Sequence, residues 1–398
     1  MAHTQIWQTQ DGKLNPQVEA YTVGDDYILD AALAKYDVKA SLAHAKMLHS
    51  MKVLSDSDIA SIKEGLSKLT HKIDNKEFTI EPSQEDCHTA IEEYLTENYG
   101  EVGKKIHTGR SRNDQSMVMM RLYMKDILDD MQKALDSLVI AYEDTSKKYI
   151  DVAMPGYTHM QKAMPTSVGV WLGAYKEGFK DVSVLISNTK NYIDQNPLGS
   201  ASGFGISNFA MDRDITTKEL DFAKTQENPM YCGYSRGLFE NVVLQALSPA
   251  MIISAKFAND MLLFTTSDFG FLALPPEFTT GSSIMPQKRN YDVFEIMRGN
   301  TKVYHSLQQQ IQDIILGIGG GYQRDLQLTK EPFINAVEIC KQTLDLLTLM
   351  VPKIMVDKDK LATAMTDDLF VTNKVYDLVN DGMSFRDAYI KVKQQYFS

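Results

Sequence analysis

Four short stretches of this chain gather residue types that could do chemistry. In TGSSIMPQKRN, Thr280 to Asn290, Ser282 and Ser283 follow a glycine, and Lys288 and Asn290 lead into sequence of helical pattern. A lysine, an asparagine and free loop amides can stabilise negative charge developing on a carboxylate-bearing carbon. A serine beside them could serve as a nucleophile or, once its own proton is removed, as a base. A plain glycine-serine turn would need neither Lys288 nor Asn290. In KKIHTGRSRND, Lys104 to Asp114, the residues Arg110, Ser111, Arg112 and Asn113 precede the longest helical stretch. Unpaired backbone N–H groups and the helix dipole favour an anion there; the plainer alternative is a solvated basic loop with Ser111 or Asn113 as N-cap. PGYTHMQ, Pro155 to Gln161, carries Thr158 and His159 between two long helical stretches. A lone histidine is more often structural, but one held there could trade protons near neutral pH. GIGGGYQRDLQLTK, Gly317 to Lys330, lacks the phosphate-loop pattern. It reads as a close backbone approach followed by Tyr322, Gln327 and Lys330 on a polar face.

Together the four stretches describe a binding surface of Arg, Lys, Asn, Gln, Ser and Thr. They suit a small substrate bearing several carboxylates and a reaction that moves protons. HExxH, EF-hand and GxSxG patterns are missing, and Cys87, Cys232 and Cys340 lie far apart without CxxC spacing. Neither a metal nor a cofactor is therefore expected, and no disulfide framework. The formal net charge of -11 argues against nucleic-acid or anionic-membrane partners, which need a basic surface. The first residues, MAHTQIWQTQDGKLN, have no apolar leader segment, and no run of about 18 apolar residues occurs. The expected setting is cytoplasmic.

The elements that must position these residues are almost all helices. From Arg110 to Met154 there is neither proline nor glycine, and Met117, Met120, Met124, Leu128, Met131, Leu135, Leu138 and Tyr142 recur at steps of three and four. That is the seam of a bundle helix; about 35 helical residues would make a rod roughly 50 Å long at 1.5 Å per residue. Similar stretches follow at Ser167–Gln195, Arg236–Thr265 and Asn290–Leu316, with Pro249 expected to kink the third rather than end it. KEFTIEP, near Phe78, is at most a short hairpin element. The expected fold is all-α in three parts: a small helical domain over 1–105, a long-helix bundle over 106–355 and a short helical domain over 356–398. DSDIASIKEGLSKL is a helix with Ser55 or Ser57 as N-cap.

GSSIMPQKRN resembles the signature of the fumarase, aspartase and argininosuccinate lyase superfamily, whose members release fumarate by elimination. HTGRSRNDQ, GYTHMQKAMPTS and YQRDLQLTK resemble the argininosuccinate lyase branch, and Gln287 fits that branch better than the glycine usual in fumarases. The similarity extends from about Tyr21 to Tyr389. It implies an all-α homotetramer with a central multi-helix core and active sites assembled from three subunits. It further implies Ser282 as base, His159 as its partner in proton transfer to the leaving group, and Glu295 as an acidic helper of that histidine. Lys288 and Asn290 match carboxylate-holding positions. Asn113, Thr158, Tyr322, Gln327 and Lys330 match substrate-binding positions, Arg110 of the same basic motif is expected to bind substrate with them, and His88 matches a histidine near the site. The implied reaction is β-elimination of argininosuccinate to arginine and fumarate, in arginine biosynthesis. Another fumarate-releasing activity, or a silent crystallin-like relative, are the alternatives.

Three departures stand out. Asp26 occupies a position where the family usually has a substrate-contacting serine; it could repel a carboxylate or pair with a cationic group of the substrate. Tyr291 replaces the proline usual after the lysine-asparagine pair, and so lacks the ring that fixes φ at a helix start. The chain also ends at Ser398, before a typical member would.

Overall fold

The computed structural model describes residues 14–397; the first thirteen residues, in which no apolar leader segment was found, lie outside them. Helices dominate, and the strands among the described residues form only two-stranded pairs. The four expected long helices are Arg112–Lys148, Val168–Ile193, Leu238–Phe264 and Asp292–Ile315. In the first, every seam residue from Met117 to Tyr142 is buried, so the methionine periodicity marks core. Pro249 does not end the third helix. That helix is long and apolar enough to cross a membrane by length and composition, yet Val243, Leu244, Leu247, Ala250, Met251 and Met261 are all buried within the protein as core.

The chain forms two compact units. The first comprises the chain up to Asp129 with Ser187–Gln245 and Leu307–Asn335. Its centre is the Asp26–Ser50 helix, packed against the helices Asp56–Asp74, Cys87–Tyr99 and Arg213–Glu219. Ser55 caps the Asp56–Asp74 helix, accepting from the Asp58 amide while the Asp58 carboxylate accepts from the Ser55 amide. Residues Glu77 to Glu81, in KEFTIEP, carry no strand; the alternation is too short and finds no partner strand.

The second unit holds Asp130–Ile186, Ala246–Ser306 and the chain from Ala336 onward. Its core includes an aromatic cluster in which Tyr142, Trp171, Tyr175, Phe179 and Phe257 stack or meet edge-on. Two hairpins project from its long helices. Ala153–Thr158 pairs antiparallel with Gln161–Ser167, and Thr280–Gly281 pairs with Arg289–Asn290. The last helices, Val371–Asn380 and Phe385–Phe397, pack on each other through Val375, Ala388 and Val392.

Candidate active site

In the first unit, five separated segments converge on one polar cavity of about 200 Å³. The long helix contributes its N-terminus. Ser111 caps it: its Oγ accepts from the Asn113 amide at 3.3 Å, and its own amide donates to Asp114 Oδ1 at 2.9 Å. That cap leaves Arg112, Asn113 and Ser116 lining the cavity. Asp86 caps the Cys87–Tyr99 helix through the Thr89 amide at 2.9 Å, which sets His88 on the wall. The 3-10 turn Arg324–Thr329 runs directly into the Lys330–Met350 helix and supplies Gln327 and Lys330, with Tyr322 just before it. Gln327 Nε2 donates to the Val23 carbonyl at 3.1 Å, tying this turn to the end of the Pro16–Val23 helix. The expected close backbone approach lies at Gly320, where an added Cβ would sit 2.6 Å from the Tyr234 hydroxyl.

Lys330 is the electrostatic centre of the floor. Its ammonium donates to Asp26 Oδ1 at 2.7 Å and Asp30 Oδ1 at 2.5 Å, and all three side chains are largely buried. The two aspartates respond in opposite directions. Burial pushes the Asp26 carboxyl up, and Lys330 offsets this only in part because Asp30 repels it. Burial also acts to raise Asp30, but Lys330, His88 and the Cys87 amide outweigh it and hold it low. His88 is raised: burial favours its neutral form, but Asp37, whose Oδ2 lies 3.0 Å from Nδ1, prevails together with Asp86 and Asp30. Asp26 is therefore neither an open repulsive charge nor an unoccupied cation site here, since Lys330 holds it.

Six residues expected from sequence line this cavity: Asp26, His88, Asn113, Tyr322, Gln327 and Lys330. Arg110 does not. It is buried, and its guanidinium donates to Ser41 Oγ at 2.8 Å. The grouping of Asp30, Cys87 and His88 has donor atoms close enough for a cation, but the Lys330 ammonium already occupies that place at Asp30, and burial holds the Cys87 thiol protonated. The donor set does not fit a metal.

The remaining candidates belong to the second unit. Thr158 and His159 are exposed at the tip of the Ala153–Ser167 hairpin. His159 and Met160 both have positive φ, 52° and 62°, the pair of left-handed residues a tight two-residue hairpin turn demands. Non-glycine side chains in that region are strained, a feature that gathers at functional sites. Ser282 sits at the base of the second hairpin loop, where its Oγ accepts from the Met285 amide at 3.1 Å and the Ile284 amide at 3.3 Å. Lys288 is on the same exposed loop, and Asn290 Nδ2 donates weakly to the Gly281 carbonyl at 3.4 Å. Tyr291, lacking the proline ring, gives its hydroxyl to the Leu274 amide as acceptor at 3.4 Å. Glu295 is exposed on the following helix, and among the described residues no hydrogen bond joins it to His159.

A family model described as lyase matches residues 13–303. The argininosuccinate lyase of Thermotoga neapolitana is 39% identical over 390 residues, covering 96% of each chain. That of Sorangium cellulosum is 39% identical over 97% of this chain and 89% of its own. The chain belongs to the argininosuccinate lyase family. Among solved structures, an EDDS lyase in complex with formate superposes with a TM-score of 0.79 at 23% identity, over 96% of this chain and 76% of its own. The class II fumarase of Schistosoma mansoni gives 0.77 at 16%, over 94% and 91%. Both share the all-α fold with this lyase.

Sequence reasoning missed several cavity residues of this lyase: Asp30, Glu85 and Arg236. Asp30 lies one helical turn after Asp26 and so shares its face, a spacing that could have found it. Arg236 directly precedes Gly237 and a long helix, the same placement of a cation at a helix start that singled out Arg112.

Proposed function

We propose that this lyase cleaves argininosuccinate into arginine and fumarate. A base removes a proton from the carbon beside one succinyl carboxylate. The electron pair forms the new C=C bond, the C–N bond to the guanidino nitrogen breaks, and that nitrogen leaves as arginine after gaining a proton. Ser282 is the base, His159 assists proton transfer to the leaving group with Glu295 beside it, and Lys288 and Asn290 hold the carboxylate as the doubly charged intermediate develops. Thr158, Asn113, Tyr322, Gln327 and Lys330 bind the rest of the substrate, with His88 and Asp26 at the cavity wall.

The observation that carries this reading is the cavity, in which six of the expected residues from four segments line one polar space of suitable size. The Ser282 geometry supports its role. A serine hydroxyl normally keeps its proton far above neutral pH, and two amide N–H groups aimed at Oγ favour the deprotonated form. The exposed loop around Ile284 and Met285 suits a closing lid that excludes water.

The assembly belongs to the same proposal. The central part, 106–355, forms the core of a homotetramer between the small N-terminal (1–105) and C-terminal (356–398) parts, and each site draws its segments from three chains. In support, the long helices of the second unit leave Ile140, Val170, Val184, Ile252, Ile296 and Val303 exposed, apolar side chains that a helix-to-helix interface would cover. Three buried, unpaired cysteines agree with a reducing, cytoplasmic setting.

Comparing turnover of argininosuccinate, aspartate, malate and adenylosuccinate by one preparation tests the leaving group. Saturable release of fumarate from argininosuccinate alone is expected; preference for another of the four would overturn the assignment.

A further inference from the structure

The Ala153–Ser167 hairpin carries Thr158 and His159 at its tip, yet little within the hairpin fixes that tip. Pro155, Gly156 and Pro165 break the strand pattern, the register shifts between Pro155 and Tyr157, and the turn consists of two left-handed non-glycine residues. A two-stranded hairpin on its own is marginal in water, so the orientation of the tip must come from what the hairpin touches. Both strands pack on a later part of the same unit: Ala153–Thr158 against the helix Lys358–Ala364, and Gln161–Ser167 against the 3-10 turn Asp367–Phe370.

Below the turn, Thr158 pairs with Gln161 and Tyr157 with Lys162. Directly opposed residues of a strand pair project from the same face, so Tyr157 and Lys162 anchor one face together. The Tyr157 ring meets Phe269 at 5.8 Å and Phe264 at 6.2 Å between centres, at the end of the Leu238–Phe264 helix. The Lys162 ammonium donates to the Ala364 carbonyl at 2.7 Å and to Thr366 Oγ1 at 3.2 Å. Ala364 is the last residue of its helix, where carbonyls lack intrahelical partners and a lysine can satisfy them. Its oxygen also accepts from the Thr366 amide at 3.0 Å, which leaves the second lone pair for Lys162. The Thr366 hydroxyl in turn bonds the Asp368 carboxyl and is the chief reason that group is held low, with the Lys162 charge adding to it. A hydroxyl can accept from one neighbour while donating to another, so carbonyl, hydroxyl and carboxylate together make a seat for one cation.

We propose that Lys162 is a positioning residue for the elimination: by seating its ammonium on Ala364 and Thr366, beside the Tyr157 anchor, it fixes the hairpin tip and with it the place of the His159 imidazole. Ring packing at Tyr157 tolerates small rotations, whereas the two bonds of Lys162 are directional and remove them. Placement matters because a reacting group displaced by about 1 Å can lose about a hundredfold in rate. Lys162 is exposed, and exposed lysine contacts contribute little to stability, so the effect on rate separates from the effect on folding. The inference rests on the proposed reading of His159 as the partner in proton transfer.

The test uses the full-length protein and the variants K162M, K162R, H159N and K162M combined with H159N. K162M keeps an unbranched side chain of similar length without the donor. It should lower kcat for argininosuccinate by about tenfold to a hundredfold, leave KM near the parent's and hardly move Tm. K162R keeps a cationic donor and should restore most of the rate. In the H159N background K162M should cost nothing further, since the tip it positions has lost its acting group. Unchanged kcat in K162M, with or without a lowered Tm, would make Lys162 at most structural and overturn the proposal. An equal loss with and without His159, or a loss that K162R does not restore, would overturn it too. Hydrogen exchange of the amides from Tyr157 to Lys162 needs no turnover and separates the contact from the His159 reading. Faster exchange in K162M than in the parent is expected; equal exchange would overturn the contact, whereas H159N turning over as fast as the parent would overturn the His159 reading instead.

Discussion

Replacing Asp26 by asparagine separates the two aspartates that share Lys330. Lys330 and Asp30 alone form a neutral buried pair; Asp26 makes the group an anion. Losing the 2.7 Å bond to Lys330 removes a charge-assisted hydrogen bond, whose net contribution is about 1.5–3 kcal/mol. Against that stands the raised pKa of Asp26, which means that its ionised form opposes folding at neutral pH. The raised pKa already includes the pull of Lys330, so removing the Asp26 charge should leave D26N no less stable than the parent. Asp30 is different: its pKa is lowered, it is fully buried, and it also accepts from the Cys87 amide at 3.1 Å. D30N should cost clearly more. Lys330→Met would leave two buried carboxylates side by side, and breaking a buried pair in this way costs about 3–5 kcal/mol. Apparent thermal midpoints at neutral pH should therefore fall in the order parent or D26N, then D30N, then K330M. D26N should also bind succinate severalfold more tightly, because the cavity loses one negative charge. A D26N midpoint as low as that of K330M, or weaker succinate binding, would refute this account of the floor.

S282A should lose activity by several orders of magnitude with its helical content and oligomeric state unchanged; near-normal turnover would remove Ser282 as the base. H159N should lower turnover while the hairpin is kept or strengthened, because asparagine adopts the left-handed region more readily, and unchanged turnover would return His159 to a structural part. Asp114 gives a pH test. Burial pushes its carboxyl up to about 6, although the Ser111, Ala201 and Gly199 amides and Arg110 pull it down. Between the ordinary value of 3.8 and about 6 the unfolded chain is ionised while the folded one keeps its proton, so parent stability falls with rising pH by about 3 kcal/mol. If D114N is the less stable at pH 4, its gap to the parent should narrow by pH 7; a constant or widening gap in calorimetric scans would contradict the assignment.

The long helices were legible because their periodicity is carried by many residues: the seam from Met117 to Tyr142 repeats over seven turns, and one misplaced residue would not hide it. The Ala153–Ser167 hairpin was not. Pro155, Gly156 and Pro165 interrupt any alternation, and the register shifts between Pro155 and Tyr157, so pairing is decided by the helices at either end rather than by strand propensity. The cavity residues Asn113, Tyr322, Gln327 and Lys330 were found through motifs, whereas Arg236 is a single arginine whose hydrogen-bond partner, Asn113, lies 123 residues away in the chain. Asp26 was recognised as a departure, but its pairing with Lys330 spans 304 residues and no local pattern announces it. Local sequence names the groups that can act; the partner that bonds or neutralises each is set by the fold.

The most direct test of the central claim is to quantify fumarate, by ultraviolet absorbance, and arginine together in one reaction of the purified parent with argininosuccinate. Saturable formation of both in equal amounts, abolished in S282A, is the predicted result. No fumarate from a folded parent, or fumarate without matching arginine, would contradict it.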